Sequence, residues 1–107
     1  MIIVIVHHWC KPEMIDKARR RIDANGDSSS EAPGFLFRYR LEKGEDSLRI
    51  STVSGWESRE AYRAWKDTRN AYDASVGAES PYERAVNEIF EVAKIHDGVR
   101  SESKALI

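Results

Sequence analysis

The sequence has only one cysteine, Cys10, which excludes an intramolecular disulfide and any zinc site built from several thiolates. That thiol reads as a free structural group, with a reactive nucleophile as the alternative. Long apolar runs are missing as well. The longest, Met1 to Val6, falls far short of the roughly 18 to 20 residues that a bilayer span requires, so neither a transmembrane helix nor a membrane partner is expected. A secretory signal places basic residues ahead of its apolar stretch, whereas here the apolar stretch comes first, which predicts an intracellular, cytoplasmic chain. Charge of one sign is also absent. Seventeen Lys and Arg stand against eighteen Asp and Glu, for a net charge of −1. Phosphate binding needs positive charge focused on one face, so no nucleic-acid partner is expected. There is no phosphate-cradling glycine loop and no serine in a strand-to-helix elbow, which removes two common catalytic designs.

What remains is a globular balance of 41% hydrophobic and 33% charged residues in 107 positions, enough for one domain and one core. Met1 to Trp9 is rich in β-branched residues and greasy on both faces, with Ile3, Ile5 and His7 pointing one way and Ile2, Val4, Val6 and His8 the other. It reads as a central strand. Pro12 opens a helix whose buried stripe is Met14, Ile15, Ala18 and Ile22, while Lys17, Arg19, Arg20 and Arg21 alternate with acids and read as a solvated face. Asn25-Gly26-Asp27 and three serines lower helix propensity, so fraying or a stop is expected there, ahead of Pro33-Gly34. Phe35 to Leu41 alternates Phe35, Phe37, Tyr39 and Leu41 with Leu36, Arg38 and Arg40, predicting a strand with its aromatic face buried. After a loop at Lys43 to Asp46, Leu48 to Trp56 is the next strand, with Leu48, Ile50, Thr52, Ser54 and Trp56 on one side.

Ser58 is placed to cap a second helix, along which Ala61, Tyr62, Trp65, Thr68, Arg69, Tyr72 and Val76 form a stripe rich in aromatic and hydrogen-bonding groups. A short helical turn is expected at Tyr82 to Ala85 and a last strand at Glu88 to His96. The domain is thus expected over residues 1–96, with 97–107 as a tail. The order strand, helix, strand, strand, helix, strand is most simply an α+β fold, an antiparallel sheet with both helices on one face. Two helices cover one side only, and the first strand is apolar on both. A twofold homodimer, sheet against sheet, is therefore expected.

The stretch Trp56-Glu57-Ser58-Arg59-Glu60-Ala61-Tyr62-Arg63-Ala64-Trp65 resembles the antibiotic biosynthesis monooxygenase domain family, as do Ala32-Pro33-Gly34-Phe35-Leu36 and Phe90-Glu91-Val92. The resemblance covers about residues 1–96. It implies a ferredoxin-like βαββαβ sheet paired into a dimeric α+β barrel. It also implies a range of activities, among them cofactor-free oxygenation of polyketide aromatics, quinol oxygenation and heme degradation. The heme-degrading branch carries an Asn on its first strand, a Trp on its second helix and an iron-ligating His nine or ten residues after that Trp. Trp65 matches the Trp, but His7 stands at the Asn position and Ala74 or Ser75 at the ligand position, so the axial ligand is missing.

His7 then carries two readings, a hydrogen-bonded structural histidine or a pocket base; the second follows from imidazole chemistry and from the cavity position that the resemblance implies. By the same alternation His8 is expected to face the interface between sheets. Trp65, Tyr62 and Tyr72 are read either as core or as the wall of an aromatic-binding cavity. Trp56 reads as a structural anchor. Arg38, Arg40 and Asn70 read as solvent-exposed, with a pocket rim as the alternative. The expected site has His7, Trp65 and Tyr72 as catalytic residues and Tyr62, Arg69, Phe35 and Phe37 as substrate contacts, with no metal. The expected function is cofactor-independent monooxygenation of a small aromatic, quinol or polyketide-like substrate by O2. A non-catalytic ligand-binding module and a heme-binding protein with an altered ligand are the alternatives.

Overall fold

A computed structural model describes residues 1–44, 47–77 and 79–98. The chain runs β1 (Ile2–Cys10), a 3-10 turn (Pro12–Met14), α1 (Ile15–Ser29), β2 (Phe35–Glu42), β3 (Arg49–Trp56), α2 (Arg59–Val76) and β4 (Tyr82–Glu91). The strands form one antiparallel sheet in the order β2-β3-β1-β4, so the most β-branched segment occupies a central place. This is the expected α+β, ferredoxin-like arrangement. The expected tail at 97–107 lies almost wholly outside the described residues.

The register fixes which side chains meet the helices. Ile2, Val4, Val6 and His8 stand opposite Trp56, Ser54, Thr52 and Ile50 across the β1–β3 ladder. Antiparallel partners share a face. Ile2, Val4, Ile50, Thr52, Ser54 and Trp56 are all buried beneath the helical layer. One core cluster joins Ile2, Val4 and Trp56 to Tyr62 and Trp65 of α2; the other joins Cys10 and Ile50 to Ala18 and Ile22 of α1. The free thiol of Cys10 is 1% exposed, and burial raises its pKa. Ser58 caps α2 as expected, its hydroxyl accepting from the Ala61 amide at 3.1 Å.

Several expectations are corrected. α1 does not stop at Asn25 but continues through Gly26 to Ser29. Tertiary contacts hold this weak segment: the Trp65 indole donates to Ser28 Oγ at 3.1 Å, and the Arg38 side chain packs against Gly26. The helical turn expected at Tyr82 to Ala85 is instead the start of β4, which ends at Glu91 rather than His96. Good helix formers there yield to a continuous ladder against β1. β2 is turned over relative to expectation. Arg38, Arg40 and Glu42 pair with Ser54, Thr52 and Ile50, on the helix side, while Phe37, Tyr39 and Leu41 lie on the open face, with Tyr39 60% exposed. A ladder irregularity between Phe35 and Phe37 explains how both parities coexist, since Phe35 still packs edge-on to Trp56 at 5.4 Å. Glycine is required at two places nearby. Gly34 has φ +85° and a Cβ there would meet the Ala61 Cβ at 2.6 Å, whereas a Cβ at Gly55 would collide with the Phe37 ring.

Candidate functional site

Between the helices and the sheet, at the end where β1 meets β4, lies a cavity of about 350 Å³. Val6 and His8 come from β1, Arg21 and Asn25 from α1, Lys66, Asn70 and Asp73 from α2, and Tyr82, Ala85 and Asn87 from β4. Every layer except the β2–β3 edge contributes, because the even positions of β1 and the odd positions Ala85 and Asn87 of β4 share the helix-facing side.

His8 anchors the floor. Its Nδ1 lies 3.2 Å from the Ile50 carbonyl oxygen, which can only accept, so Nδ1 carries the proton and Nε2 is left as the acceptor. The imidazole leans on the Tyr82 ring, centroids 4.6 Å apart. Burial pushes the His8 pKa down to about 4, against the pull of the Ile50 hydrogen bond and with further lowering by Arg38, Lys66 and His7. The ring is therefore neutral at physiological pH.

Around it stand two cations, a carboxylate, three amides and a phenol. Lys66 is partly buried, and desolvation, together with Arg38, Arg21 and Arg69, lowers its pKa against the opposing pull of Asp73. Asp73 is already held by Arg21, Oδ2 to Nη2 at 3.2 Å. The Tyr82 hydroxyl and Asn25 Oδ1 are buried with no hydrogen-bond partner among the described residues. Burial pushes the Tyr82 phenol up to about 12, so it stays a donor. Such orphaned polar atoms mark places where a ligand or water completes the site.

The neutral His8 has a consequence for stability. Its folded pKa lies below the ordinary 6.5, so the unfolded chain binds a proton that the fold refuses. Stability is then complete above about pH 6.5 and falls as the pH drops toward 4, by at most about 3 kcal/mol. Urea melts between pH 7 and 4 should show this loss, and His8→Gln should flatten it. A wild-type chain equally stable at both ends of that range would contradict the assignment.

The seven expected site residues are dispersed. His7 lies on the open sheet face, its Nδ1 2.6 Å from Ser51 Oγ, beside Ile5, Leu41 and Val53. It does not enter the helix-side cavity, and His8 does not face a second sheet; the two expectations are exchanged by the register of β1 on β3. Phe37 shares the open face with His7, stacked near Tyr39 at 5.4 Å. Trp65, Tyr62 and Phe35 gather around Trp56 in the core. Trp65 reaches a separate cleft of about 500 Å³ lined by Ser28, Pro33, Gly34, Glu57 and Ala61 among others. Arg69 and Tyr72 stack on each other at 4.6 Å in a small cleft where α2 meets Lys17 and Arg21 of α1, with Tyr72 52% exposed. Arg38, expected at the surface, lies beneath the helices, 5.9 Å from the Trp65 ring.

Of the cavity's polar residues, the sequence placed His8 at an interface, Arg21 on a solvated face, Asn25 where the first helix weakens and Tyr82 in a helical turn, and it did not single out Lys66, Asp73 or Asn87. A strand starting at Tyr82 would have put Tyr82 and Asn87 beside the first strand. No signal in the chain's pattern decides the face of His8. Among the described residues no group of three or more His, Cys, Asp or Glu could hold a metal ion, and no helix is long and apolar enough to cross a membrane.

Comparison with known proteins adds a family and a set of folds. The family model described as antibiotic biosynthesis monooxygenase matches residues 1–76. No curated protein sequence matches the chain significantly. Among solved structures, the heme-degrader MhuD from Mycobacterium tuberculosis, with two hemes bound in its active site, is similar at 23% identity and TM-score 0.72, over 91% of this chain and 100% of that one. SnoaB, a cofactor-independent oxygenase from Streptomyces nogalater, is similar at 10% identity and TM-score 0.70, over 88% and 95%. A third structure, an antibiotic biosynthesis monooxygenase, shares 16% identity and a TM-score of 0.74 over 88% and 100%. At these identities the likeness establishes the fold.

Proposed function

The chain belongs to the antibiotic biosynthesis monooxygenase family, and from that membership we propose that it is a cofactor-independent monooxygenase of a small aromatic, quinol or polyketide-like substrate. The observation that carries the reading is His8: a neutral imidazole with its Nε2 acceptor in a cavity lined by Arg21 and Lys66. An imidazole crowded by cations is a poor base for an isolated proton. It becomes an effective one when the proton donor turns anionic on transfer, because the new anion then sits among Arg21, Lys66 and the imidazolium. Phenols and enolisable ketones are such donors. The carbanion reacts directly with O2. For an activated methylene, one methylene and one O2 give one ketone and one water: both C–H bonds break, one oxygen atom becomes the carbonyl and the other leaves with the two hydrogens. The substrate supplies all four electrons, so the step requires neither flavin nor metal.

Heme, the group suggested by the similarity to MhuD, does not fit this chain. Ala74 and Ser75 offer no imidazole from α2, His7 lies on the other face of the sheet, and His8 lines a cavity with Arg21 and Lys66, whose positive charge disfavours a ferric centre.

Oxygen uptake with a panel of quinols and anthrone-type phenols, without added metal or flavin, tests the proposal, with one atom of isotopically labelled dioxygen expected in the product. Tight binding without uptake would make the protein a binding module, and a Soret band that shifts in His8→Ala after hemin titration would restore heme.

The same proposal includes a homodimer. The open sheet face carries Ile3, Ile5, Tyr39, Leu41, Val53, Val86 and Phe90, and its exposed members are too many for a free surface. A second copy packed sheet to sheet would bury them. The buried free thiol of Cys10 accords with a reducing, cytoplasmic setting. Light scattering at micromolar concentration should report twice the chain mass; a stable monomer there would refute the pairing.

A further inference from the structure

Among the described residues the His8 cavity carries more positive than negative charge. Arg21 and Lys66 line it, Arg38 lies close enough to lower the pKa of both His8 and Lys66, and Asp73 is the sole carboxylate in the wall among the described residues. Asp73 already engages Arg21 at 3.2 Å. Among the described residues Lys66 has no ion pair within 4 Å, although it is partly buried. The Tyr82 hydroxyl adds a buried donor and Asn25 Oδ1 a buried acceptor, neither with a hydrogen-bond partner among the described residues. Asn70 and Asn87 add amides. Uncompensated positive charge in a half-enclosed space is costly, and a bound anion relieves it. The apolar part of the wall is Val6, Ala85 and the adjoining rings of His8 and Tyr82, tilted 41° to each other, with the Arg21 guanidinium 5.7 Å from the centre of the Tyr82 ring.

We propose that the substrate of this cavity is an aromatic acid of one or two rings, whose carboxylate is received by Lys66 and Arg21 while its ring lies against His8 and Tyr82. This inference rests on the placement of the substrate in this cavity and adds a chemical class to it. The volume of about 350 Å³ sets the ring count. The carboxylate also assists the chemistry: burial is the main cause of the low His8 pKa, and a negative charge beside Lys66 offsets the further lowering by the nearby cations, which raises the basicity of the imidazole.

Titration calorimetry with 2,5-dihydroxybenzoate and its methyl ester tests the inference, because the two differ in charge and scarcely in shape. The acid is expected to bind at least tenfold more tightly than the ester, with a preference that shrinks as salt is raised. Lys66→Gln should cost the acid about tenfold and the ester less than threefold. Equal binding of acid and ester by the native protein, measurable binding of neither, or a preference that survives Lys66→Gln in a folded variant would overturn the inference. The native-protein comparison and its salt dependence stand even if the variant does not fold. Oxygen uptake separates the anion site from the oxygenase reading. An acid that binds selectively without uptake removes the oxygenase reading and leaves the anion site, whereas an ester that binds and turns over as well as the acid removes the anion site and leaves the oxygenase.

Discussion

His8→Gln is expected to lower turnover by a factor of about 10² to 10⁴, the range typical of losing a positioned general base. Glutamine preserves bulk and can still donate to the Ile50 carbonyl, so the floor of the cavity keeps its shape. It cannot accept a proton at the place of Nε2. His7→Ala provides the contrast. That imidazole lies on the open face, bonded to Ser51, with the sheet between it and the cavity, and its loss is expected to change turnover less than about threefold. Oxygen consumption by the two variants, each checked for native far-UV dichroism, decides the matter. A variant at position 8 that keeps native turnover, or a collapse on substitution at position 7, would transfer the chemistry back to the other face.

The second large effect concerns stability. Trp56→Ala is expected to cost about 3 to 5 kcal/mol. The indole has no solvent exposure and sits 5.4 Å from Phe35, 5.7 Å from Tyr62 and 5.6 Å from Trp65, centroid to centroid. Its Nε1 also donates to Ser54 Oγ at 3.1 Å, a hydroxyl that would be left buried without it. Truncation opens a cavity at the meeting of β1, β3 and α2, where three large rings cannot collapse together without leaving their rotamers. Domains of this size hold about 5 to 15 kcal/mol in total, so the variant approaches its unfolding threshold. Tyr72→Ala, on the exposed end of the same aromatic stripe, is expected to cost under about 0.5 kcal/mol. Urea denaturation of both variants measures the difference, and comparable losses would mean that the stripe is packed along its whole length.

That stripe shows how far the sequence could be read. Three-to-four spacing announced α2 and its Ser58 cap, and Trp56 was legible as an anchor because a tryptophan ending a strand just before a helix has few other places to go. Spacing gave no measure of where the sheet beneath the helix ends. Tyr62 and Trp65 are covered, while Tyr72 and Val76 reach past the cover. β4 was displaced for a different reason. Glu83, Arg84 and Ala85 favour a helix on local grounds, and only pairing with β1 makes them extended.

By itself the sequence determined the alternation of the first three strands, the two helices, the family and the surplus of apolar faces over the helices available to cover them. Which face turns inward was left to the tertiary structure. Period two divides a strand into odd and even sets without saying which set meets the helices, and on β1 both sets are apolar and both end in a histidine. The pairing of Ile2 with Trp56 resolves it, setting the even residues under the helices and giving the cavity to His8. A shift of one residue in that ladder would have given it to His7, because hydrophobic burial is nearly indifferent between two greasy faces and the choice passes to packing around one indole.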